Sequence, residues 1–281
     1  MHPFLKWSLA AAGLAVALAA LVPALVWLQS EAVIERRYPL PSATVAALAT
    51  PKAVARGVHL VAIVGCSDCH GRNLEGRPLG WESVLPIWSS NLRRDAHALS
   101  DADFERAIRA GIGPDARSNW VMPAMDYTYM SEDDVVAIVS YLRTLKVLGP
   151  PVPETRFDME ARFAVAEGDL EPVATRAPES PASLDLGPRY DGGRYLARIA
   201  CSDCHGTDLA GAHTESGDAP DLAAVARYSR SGFFALLRGG RTPDGKWLAA
   251  MSRLRFHALY DYEIDALYDY LAARGKALGR K

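Results

Sequence analysis

The sequence lacks an excess of either charge and lacks the signatures of several common protein classes. Its 31 lysines and arginines nearly balance its 33 acidic residues, and the net charge of −2 offers no electrostatic footprint for nucleic acid. Strand-type alternation of apolar and polar residues is absent, so the chain is predicted to be all-α. Nothing resembles a substrate pocket with a paired general acid and base, which argues against an enzyme.

Cysteine is scarce, and its placement is the most informative feature of the chain. The four cysteines form two identical Cys-Ser-Asp-Cys-His segments, which begin at Cys66 and at Cys201. A C-x-x-C-H segment is an attachment site for c-type haem, because the thiols add to the two haem vinyl groups and the histidine reaches the iron. The sequence therefore predicts two covalently bound haems c. Their tethers are Cys66, Cys69, Cys201 and Cys204, and their proximal iron ligands are His70 and His205.

Three other uses of paired cysteines explain the pattern less well. Structural zinc pairs usually lie roughly 15–20 residues apart, much closer than these two segments. A thioredoxin-like pair would sit beside a βαβ pattern, and none is visible. Two disulfides in an oxidising compartment would leave the histidine after each pair unexplained.

The chain repeats internally, with one register around the cysteine segments and another after them. At an offset of 135, Leu60, Asn73, Leu74 and Gly76 align with Tyr195, Asp208, Leu209 and Gly211. At an offset of 129, Phe104, Arg109, Gly111, Tyr141 and Leu142 align with Phe233, Arg238, Gly240, Tyr270 and Leu271. The chain is therefore predicted to contain two copies of one fold, each with one haem, and the second copy lacks six residues.

The repeat register selects the sixth iron ligand in each copy. Thioether sulfur suits haem iron in electron transfer, and ligation by histidine and methionine raises the reduction potential. Met251 is the only methionine after the second cysteine segment, and the offset of 129 leads from it to Met122. Met125 is the reserve candidate, whereas Met130 aligns with the apolar Leu259. Met122 and Met251 are the predicted axial ligands, although methionine is also a common core residue.

Helix signals occupy equivalent places in the two copies. Helices are predicted at residues 53–64, 101–110, 193–200 and 229–238, with Gly111 and Gly239 as C-caps. Ser131 and Asp134 form a predicted capping box. The helix after it places Val135, Ile138, Val139 and Leu142 on one face, and the second copy repeats that spacing with Ile264, Leu267, Tyr268 and Leu271. Arg109 and Arg238 either reach haem propionates or lie on solvated helix faces.

An apolar segment precedes both copies. Ser8 to Leu28 is 21 residues long, with one hydroxyl and no charge, which is enough for a transmembrane helix. A signal cleaved after Ala24 is the alternative, but a secretory signal has a shorter apolar core of about 7–15 residues. Covalent haem attachment takes place outside the bacterial cytoplasmic membrane, so the bulk of the chain is predicted to be periplasmic.

The expected organisation follows from these segments. A transmembrane signal-anchor occupies residues 1–30, a periplasmic connector 31–50, domain 1 residues 51–148, a proline-containing linker 149–187 and domain 2 residues 188–281.

A few further residues have expected places in this organisation. Phe157, Met159 and Phe163 suggest that part of the linker packs against a domain. His59 lies on the helix before the first cysteine segment, where a surface or satisfied-core role is expected instead of ligation, with a haem edge nearby. Trp247 is expected to belong to the core or to a pocket wall.

These motifs resemble class I cytochrome c domains in tandem. Each C-x-x-C-H segment is followed by a methionine and by a C-terminal helix that contains a Tyr-Leu pair. The stretch from Met122 to Leu142 is similar to the cytochrome subunits of membrane-bound alcohol dehydrogenases. Glu35-Arg36-Arg37-Tyr38, together with the two motifs, resembles the anchored dihaem cytochromes c of proteobacteria. The dehydrogenase subunits have three haem sites, whereas this chain has two.

The resemblance implies that each domain wraps a haem between its first and last helices, with one haem edge exposed. The implied function is a membrane-anchored periplasmic electron carrier at the bacterial inner membrane, not an enzyme, linking a dehydrogenase or quinol oxidiser to a terminal acceptor. The expected partners are the membrane and redox proteins, with no nucleic acid and no small-molecule substrate.

Two other functions compete with this one. The first is a dihaem redox enzyme, either a peroxidase or a thiosulfate-oxidising cytochrome. A peroxidase needs an open sixth position on one iron, and the two matched methionines argue against that. The second is a cytochrome subunit of a haem–copper oxidase, for which the sequence contains no specific motif.

Overall fold

The protein is mainly helical, as the sequence predicts. The computed structural model describes residues 3–79, 87–176, 183–214, 217–242, 244–248, 251 and 254–279. Its α-helices are α1 (Pro3–Ile34), α2 (Pro51–Ile63), α3 (Cys66–His70), α4 (Leu92–Ala98), α5 (Asp101–Ala110), α6 (Ala124–Tyr127), α7 (Glu132–Arg143), α8 (Met159–Glu167), α9 (Asp191–His205), α10 (Arg230–Gly239), α11 (Leu254–His257) and α12 (Asp261–Ala277). Short 3₁₀ helices lie at Val173–Thr175, Pro188–Tyr190 and Leu222–Arg227.

The first repeat, residues 51–148, is built on the packing of α2 against α7. Thr50 begins α2, because its hydroxyl oxygen accepts a hydrogen bond from the Ala53 N–H at 3.2 Å. Ser131 begins α7 in the same way, accepting from the Asp134 N–H at 3.2 Å. The predicted apolar stripe of α7 is buried at all four positions. The stripe prediction is therefore confirmed.

The second repeat, residues 188–279, packs α9 against α12 with the same close approach. A Cβ atom on Gly57 of α2 would overlap the carbonyl oxygen of Ala137 on α7. A Cβ atom on Gly193 of α9 would overlap the carbonyl oxygen of Ala266 on α12. The two alanines align in the register that relates the C-terminal helices of the repeats, so the two crossings are equivalent. At this distance between the helix backbones, only glycine fits.

The glycine pair corrects the sequence register in front of the first cysteine segment. The offset between Gly57 and Gly193 is larger by one position than the offset between the cysteines. Leu60 is therefore equivalent to Leu196, which is also buried, and its predicted alignment with Tyr195 was wrong. The cause is a break in the first repeat that the second repeat lacks. Helix α2 ends before Gly65, which has a φ of +82°, whereas α9 continues unbroken through its cysteine segment.

After the cysteine segments, the predicted registers hold. Leu74 and Leu209 are both buried and both have a positive φ, 63° and 61°. Further along, Met130 and Leu259 are each only 2% exposed. Met130 is thus a core residue at the position that the alignment with Leu259 predicted.

Two helix ends differ from the prediction. Asp134 does not return the hydrogen bond of a capping box to Ser131, because its carboxylate accepts hydrogen bonds from Arg56 and Tyr195. The predicted capping box was therefore wrong. Gly239 is the last residue of α10, and the C-cap is Gly240, with a φ of 65°. That position is the one that aligns with the C-cap Gly111.

Local structure also appears where none was predicted. The loop after the second cysteine segment contains a hairpin of β1 (Ala212–Thr214) and β2 (Gly217–Ala219), paired antiparallel. Its strands are three residues each, too short for alternation to register in the sequence. The linker contains α8 and a 3₁₀ turn, and its residues 177–182 lie outside the described part of the chain.

Helix α1 packs its C-terminal end against α8. A small apolar cluster forms there from Ile87, Ala161, Val165 and Leu170, with Val33 and Ile34 of α1 beside it. Across the described residues, no helix combines the length and the apolar character needed to span a membrane.

The aromatic and apolar residues of the linker divide into two groups. Phe157 contacts the ring of Trp120 edge-on, with 4.8 Å between ring centroids, so this part of the linker packs against the first repeat as predicted. Met159 and Phe163 are each 47% exposed, so their predicted packing against a domain was wrong.

A single apolar core runs through both repeats. Most of its buried residues come from α2, α7, α9 and α12, the shorter helices add the others, and together they form one continuous cluster. The two repeats therefore pack as one body, and the elements that carry the cysteine segments meet at the interface between them.

Candidate haem-attachment sites

The first cysteine segment forms α3, directly after the break at Gly65. Cys66 is partly buried and Cys69 is exposed. The Nδ1 atom of His70 lies 2.8 Å from the carbonyl oxygen of Ser90. A carbonyl oxygen only accepts hydrogen bonds, so Nδ1 carries the proton and Nε2 keeps its lone pair. The ring is thus oriented with Nε2 available to a metal.

The second cysteine segment forms the last turn of α9 and reproduces this arrangement. Cys201 and Cys204 are both partly buried, and His205 is buried. The Nδ1 atom of His205 donates to the carbonyl oxygen of Pro220 at 2.8 Å. The imidazole Nε2 is again the nitrogen with a free lone pair. The two histidines, predicted from sequence alone, therefore share both tautomer and kind of partner.

Burial keeps these groups neutral. It raises the pKa of the Cys66 thiol to about 12, with a further contribution from Cys69, and it raises the pKa of the Cys201 thiol to about 12 against the opposing charge of Arg255. Burial also lowers the pKa of His70 and of His205. Both imidazoles are therefore uncharged at neutral pH, which is the form that binds a metal.

The loop after each histidine is closed in the same way. The Gly76 N–H donates to the His70 carbonyl oxygen at 2.8 Å, and the Gly211 N–H donates to the His205 carbonyl oxygen at 2.9 Å. This bond turns the chain back beneath the histidine. The segments that contain Ser90 and Pro220 can then reach the histidine side chains.

The methionine candidates lie on the loops before α6 and α11. Met122 and Met251 both pack against the shared apolar core. The Asn119 side-chain amide lies 3.9 Å from the Met122 sulfur and is oriented to donate to it. Met125 lines a cleft beside Met122 and is partly buried. Core packing and the amide contact distinguish Met122 from its reserve candidate.

Two equivalent arginines fix these methionine loops. The Arg109 guanidinium donates to the carbonyl oxygens of Thr128 and Met130, at 3.0 and 2.6 Å. The Arg238 guanidinium donates to the carbonyl oxygen of His257 at 2.8 Å, and His257 aligns with Thr128. Their hydrogen bonds therefore stabilise the chain that follows each methionine. Arg238 also pairs with the exposed Asp261 at 2.7 Å, as a residue on a solvated helix face does, and the backbone contacts of both arginines were not among the predicted roles.

Two further residues considered in the sequence analysis lie outside the haem-attachment sites. His59 is buried, with its ring stacked on Tyr260 at 4.3 Å between centroids and bonded to Glu263, so it is a satisfied core histidine. Trp247 is largely exposed, so its predicted place in the core or in a pocket wall was wrong.

A cleft of about 280 Å³ separates the methionine loop of the first repeat from the cysteine segment of the second. Met122, Met125 and Asp126 form one side, and Ser202 and Asp203 lie on the other. The second cysteine segment thus faces the methionine loop of the first repeat across this cleft.

Residues 54–146 match the family model of cytochrome c. This stretch is a cytochrome c domain. A cytochrome c domain carries covalently bound haem c and serves electron transfer. The match includes the first cysteine segment, Met122 and α7, and it covers about the same residues as the first repeat. No curated protein matches the chain.

The side chains of this cytochrome c domain fit a covalently attached haem. Two neutral thiols stand three residues apart on one turn, and the following histidine has Nε2 free because Ser90 binds Nδ1. A soft thioether sulfur, that of Met122, is held against the core and beside the Asn119 amide. This is the donor set that haem iron takes in electron-transfer proteins. The second repeat contains the same donor types.

Sequence reasoning missed the groups that orient the site. The carbonyl oxygens of Ser90 and Pro220 belong to the backbone, and a backbone acceptor has no residue-type signal. Asn119 lies three residues before Met122, but no asparagine stands at that distance before Met251. Arg255 was also missed, although the offset of 129 aligns it with Asp126 and so marks a reversal of charge.

Proposed function

We propose that the chain is a membrane-anchored periplasmic dihaem cytochrome c that passes electrons between redox proteins. Residues 51–148 and 188–281 each form one domain with one covalent haem c. The observation that carries this proposal is the pair of histidine contacts, His70 with Ser90 and His205 with Pro220, both at 2.8 Å. A second C-x-x-C-H segment with its histidine held in the same tautomer supports a second haem.

Each side chain of the two sites has a defined task. The thiols of Cys66, Cys69, Cys201 and Cys204 would tether the haems, and His70, His205, Met122 and Met251 would bind their irons. When bound, haem supplies one-electron chemistry at its iron. The protein contributes burial, which limits water, and carbonyl partners that fix the imidazole rings.

Anchoring and partners are proposed from the sequence. The uncharged run from Ser8 to Leu28 is long enough for a membrane span. Tethering at the bacterial inner membrane would raise the effective concentration of the carrier near membrane-bound partners. The proposed donor is a dehydrogenase or quinol oxidiser, and electrons leave to a terminal acceptor.

Intact-protein mass spectrometry tests the count of haems. The chain, exported from a bacterium with a cytochrome c maturation system, should have the apoprotein mass plus two haem units. Replacing Cys201 and Cys204 by alanine should remove one unit, and replacing Cys66 and Cys69 should remove the other. A gain of one unit in the unaltered protein would contradict the dihaem proposal. Peroxide-dependent turnover would instead favour the redox-enzyme alternative.

A further inference from the structure

The interface between the repeats is reciprocal around the two cysteine segments. Helix α6, which follows Met122, contacts α9 of the second repeat. Helix α11, which follows Met251, contacts α2 of the first repeat. Helix α6 thus lies on the helix that contains the second cysteine segment, and α11 lies on the helix that precedes the first, so that Arg255 of α11 reaches both segments.

Equivalent positions on α6 and α11 carry opposite charges. Asp126 and Arg255 align in the register of the methionine loops, and each faces the cysteine segment of the other repeat. Arg255 is only 8% exposed. One nitrogen of its guanidinium lies 3.7 Å from the carboxylate of Asp68, inside the first cysteine segment. Another lies 3.9 Å from the sulfur of Cys204, inside the second.

This buried cation has few partners. The Nε atom of Arg255 has no hydrogen-bond acceptor among the described residues, and the nearest oxygen of Asp68 is likewise unpartnered within hydrogen-bond distance. Burial lowers the pKa of Arg255, but the charges of Asp68 and its neighbours outweigh burial and raise the pKa. The side chain therefore carries its positive charge at neutral pH.

We propose that Arg255 sets the reduction potentials of both haems from its position between the two cysteine segments. This inference rests on the proposed dihaem function. Reduction adds one electron to a haem, so a cation nearby stabilises the reduced form and raises the potential. The interaction is strong at this site because it is buried in a medium of low dielectric constant.

The effect is unequal at the two sites. On the side of the first segment, the carboxylate of Asp68 opposes the charge of Arg255. On the side of the second, the guanidinium faces the sulfur of Cys204, and the carboxylate of Asp203 acts on its charge more weakly than that of Asp68. Removing the cation should therefore lower both midpoint potentials, and the haem held by Cys201 and Cys204 should shift more.

Potentiometric titration of purified dihaem variants tests this proposal. Arg255→Gln should shift both midpoints downward, and Arg255→Lys should keep them close to the unaltered values. Arg230→Gln is the matched control, because it removes the same charge from an exposed surface pair with Asp265 and Asp269. It should leave both midpoints unchanged.

The outcomes separate this proposal from the dihaem function. The haems of each purified protein are counted first by mass spectrometry. If the proteins carry only one haem, the proposed dihaem function is wrong. With two haems attached, unchanged midpoints in Arg255→Gln would overturn the role of Arg255. If Arg255→Gln folds poorly, Arg255→Gln with Asp68→Asn removes both charges and avoids an isolated buried carboxylate. That variant should lower the midpoint of the second haem and shift the first much less; equal or absent shifts would count against the proposal.

Discussion

His59 Nε2 lies 2.9 Å from both carboxylate oxygens of Glu263, a residue of the other repeat and 204 positions further along the chain. The reciprocal contact is present as well. The Tyr195 hydroxyl donates to the Asp134 carboxylate at 2.7 Å. Tyr195 is equivalent to His59, and Asp134 is equivalent to Glu263. The repeats therefore meet through one patch used twice, as the subunits of a two-fold symmetric dimer do.

Arg56 joins the two contacts. Its guanidinium is 2.9 Å from the Asp134 carboxylate and 3.6 Å from the Glu263 carboxylate. Buried ion pairs contribute little net stability, because desolvation offsets most of the attraction, but breaking one partner is costly. We infer that this polar group fixes one relative orientation of the repeats, and with it the approach of the two cysteine segments.

Glu263→Gln should destabilise the protein by about 1–3 kcal/mol, because the amide cannot satisfy His59, Arg56 and the N-cap N–H of Tyr260 as the carboxylate does. Chemical denaturation measures the change. Glu132→Gln is the control, since it neutralises an exposed carboxylate in the first turn of α7. Equal stability of the two variants would contradict the importance of the contact.

The same carboxylate should make stability depend on acid. Burial alone would raise the pKa of Glu263, but hydrogen bonds from His59 and the Tyr260 N–H, with the charge of Arg56, outweigh it and lower the pKa below 4.5. A group with a depressed pKa stabilises the fold fully above its unfolded pKa and loses that contribution as pH falls through the folded value. Thermal unfolding should therefore show a smaller loss of stability below pH 4.5 in Glu263→Gln than in the unaltered protein. If both proteins lose the same stability as the pH falls, other carboxylates dominate the acid dependence of stability.

Gly57→Ala should disrupt the crossing of α2 and α7. The new methyl group would lie 2.7 Å from the Tyr141 Cβ and overlap the Ala137 carbonyl oxygen. Overpacking of this kind costs about 1–3 kcal/mol, and the backbone contact places the variant at the upper end. Gly192→Ala is the control, because nothing lies within 4 Å of its Cβ position. It should be neutral or stabilising in thermal unfolding; comparable losses in both would argue against a steric cause.

The sequence predicted the parts of this fold that depend on residue type and spacing. The cysteine segments, the buried stripe of α7 and the core position of Met130 all followed from motif or periodicity. The break at Gly65 was missed because the repeats were aligned on their cysteine segments. The one extra residue of the first repeat lies before its segment, where that alignment does not reveal it. The reciprocal contacts were missed because His59 and Glu263 are paired only by the packing of the repeats. The contacts of Arg109 with Thr128 and Met130 were missed because backbone carbonyl partners leave no mark in the sequence.

Methionine substitutions should separate the axial ligands by their spectra. Ferric haem ligated by methionine has a weak far-red absorption band. In the unaltered protein, each domain should contribute part of the intensity of this band. Met251→Ala should remove the contribution of domain 2 to the band, and Met122→Ala should remove that of domain 1. Met125→Ala should leave the band intact, because its side chain lines the cleft whereas Met122 packs against the core beside Asn119. A loss in Met125→Ala with a normal band in Met122→Ala would reverse the assignment.

Truncation of the N-terminus should reveal where the folded body begins. Arg162 of α8 lies over the Trp27 ring at 3.5 Å and bonds to Ser30 at 3.0 Å and Glu31 at 2.8 Å. A chain exported with a cleavable signal and beginning at Leu21 keeps these contacts. It should leave the membrane fraction and retain both haems and its thermal stability.

A chain that begins at Arg36 loses the Trp27, Ser30 and Glu31 contacts of Arg162, keeps its Nε hydrogen bond to the Phe157 carbonyl, and uncovers the apolar cluster beside α8. It should lose about 1–3 kcal/mol for the unpaired buried guanidinium. For a chain of this size, each kcal/mol lowers Tm by about 2–4 °C. Arg162→Leu in the longer form is the matched variant, because it removes the same hydrogen bonds without removing the helix. Haem content should stay at two in all three proteins, since α1 packs mainly against α8 in the part of the chain that the structure describes. Loss of haem in the chain beginning at Leu21 would mean that the apolar N-terminal half of α1 is part of the folded body.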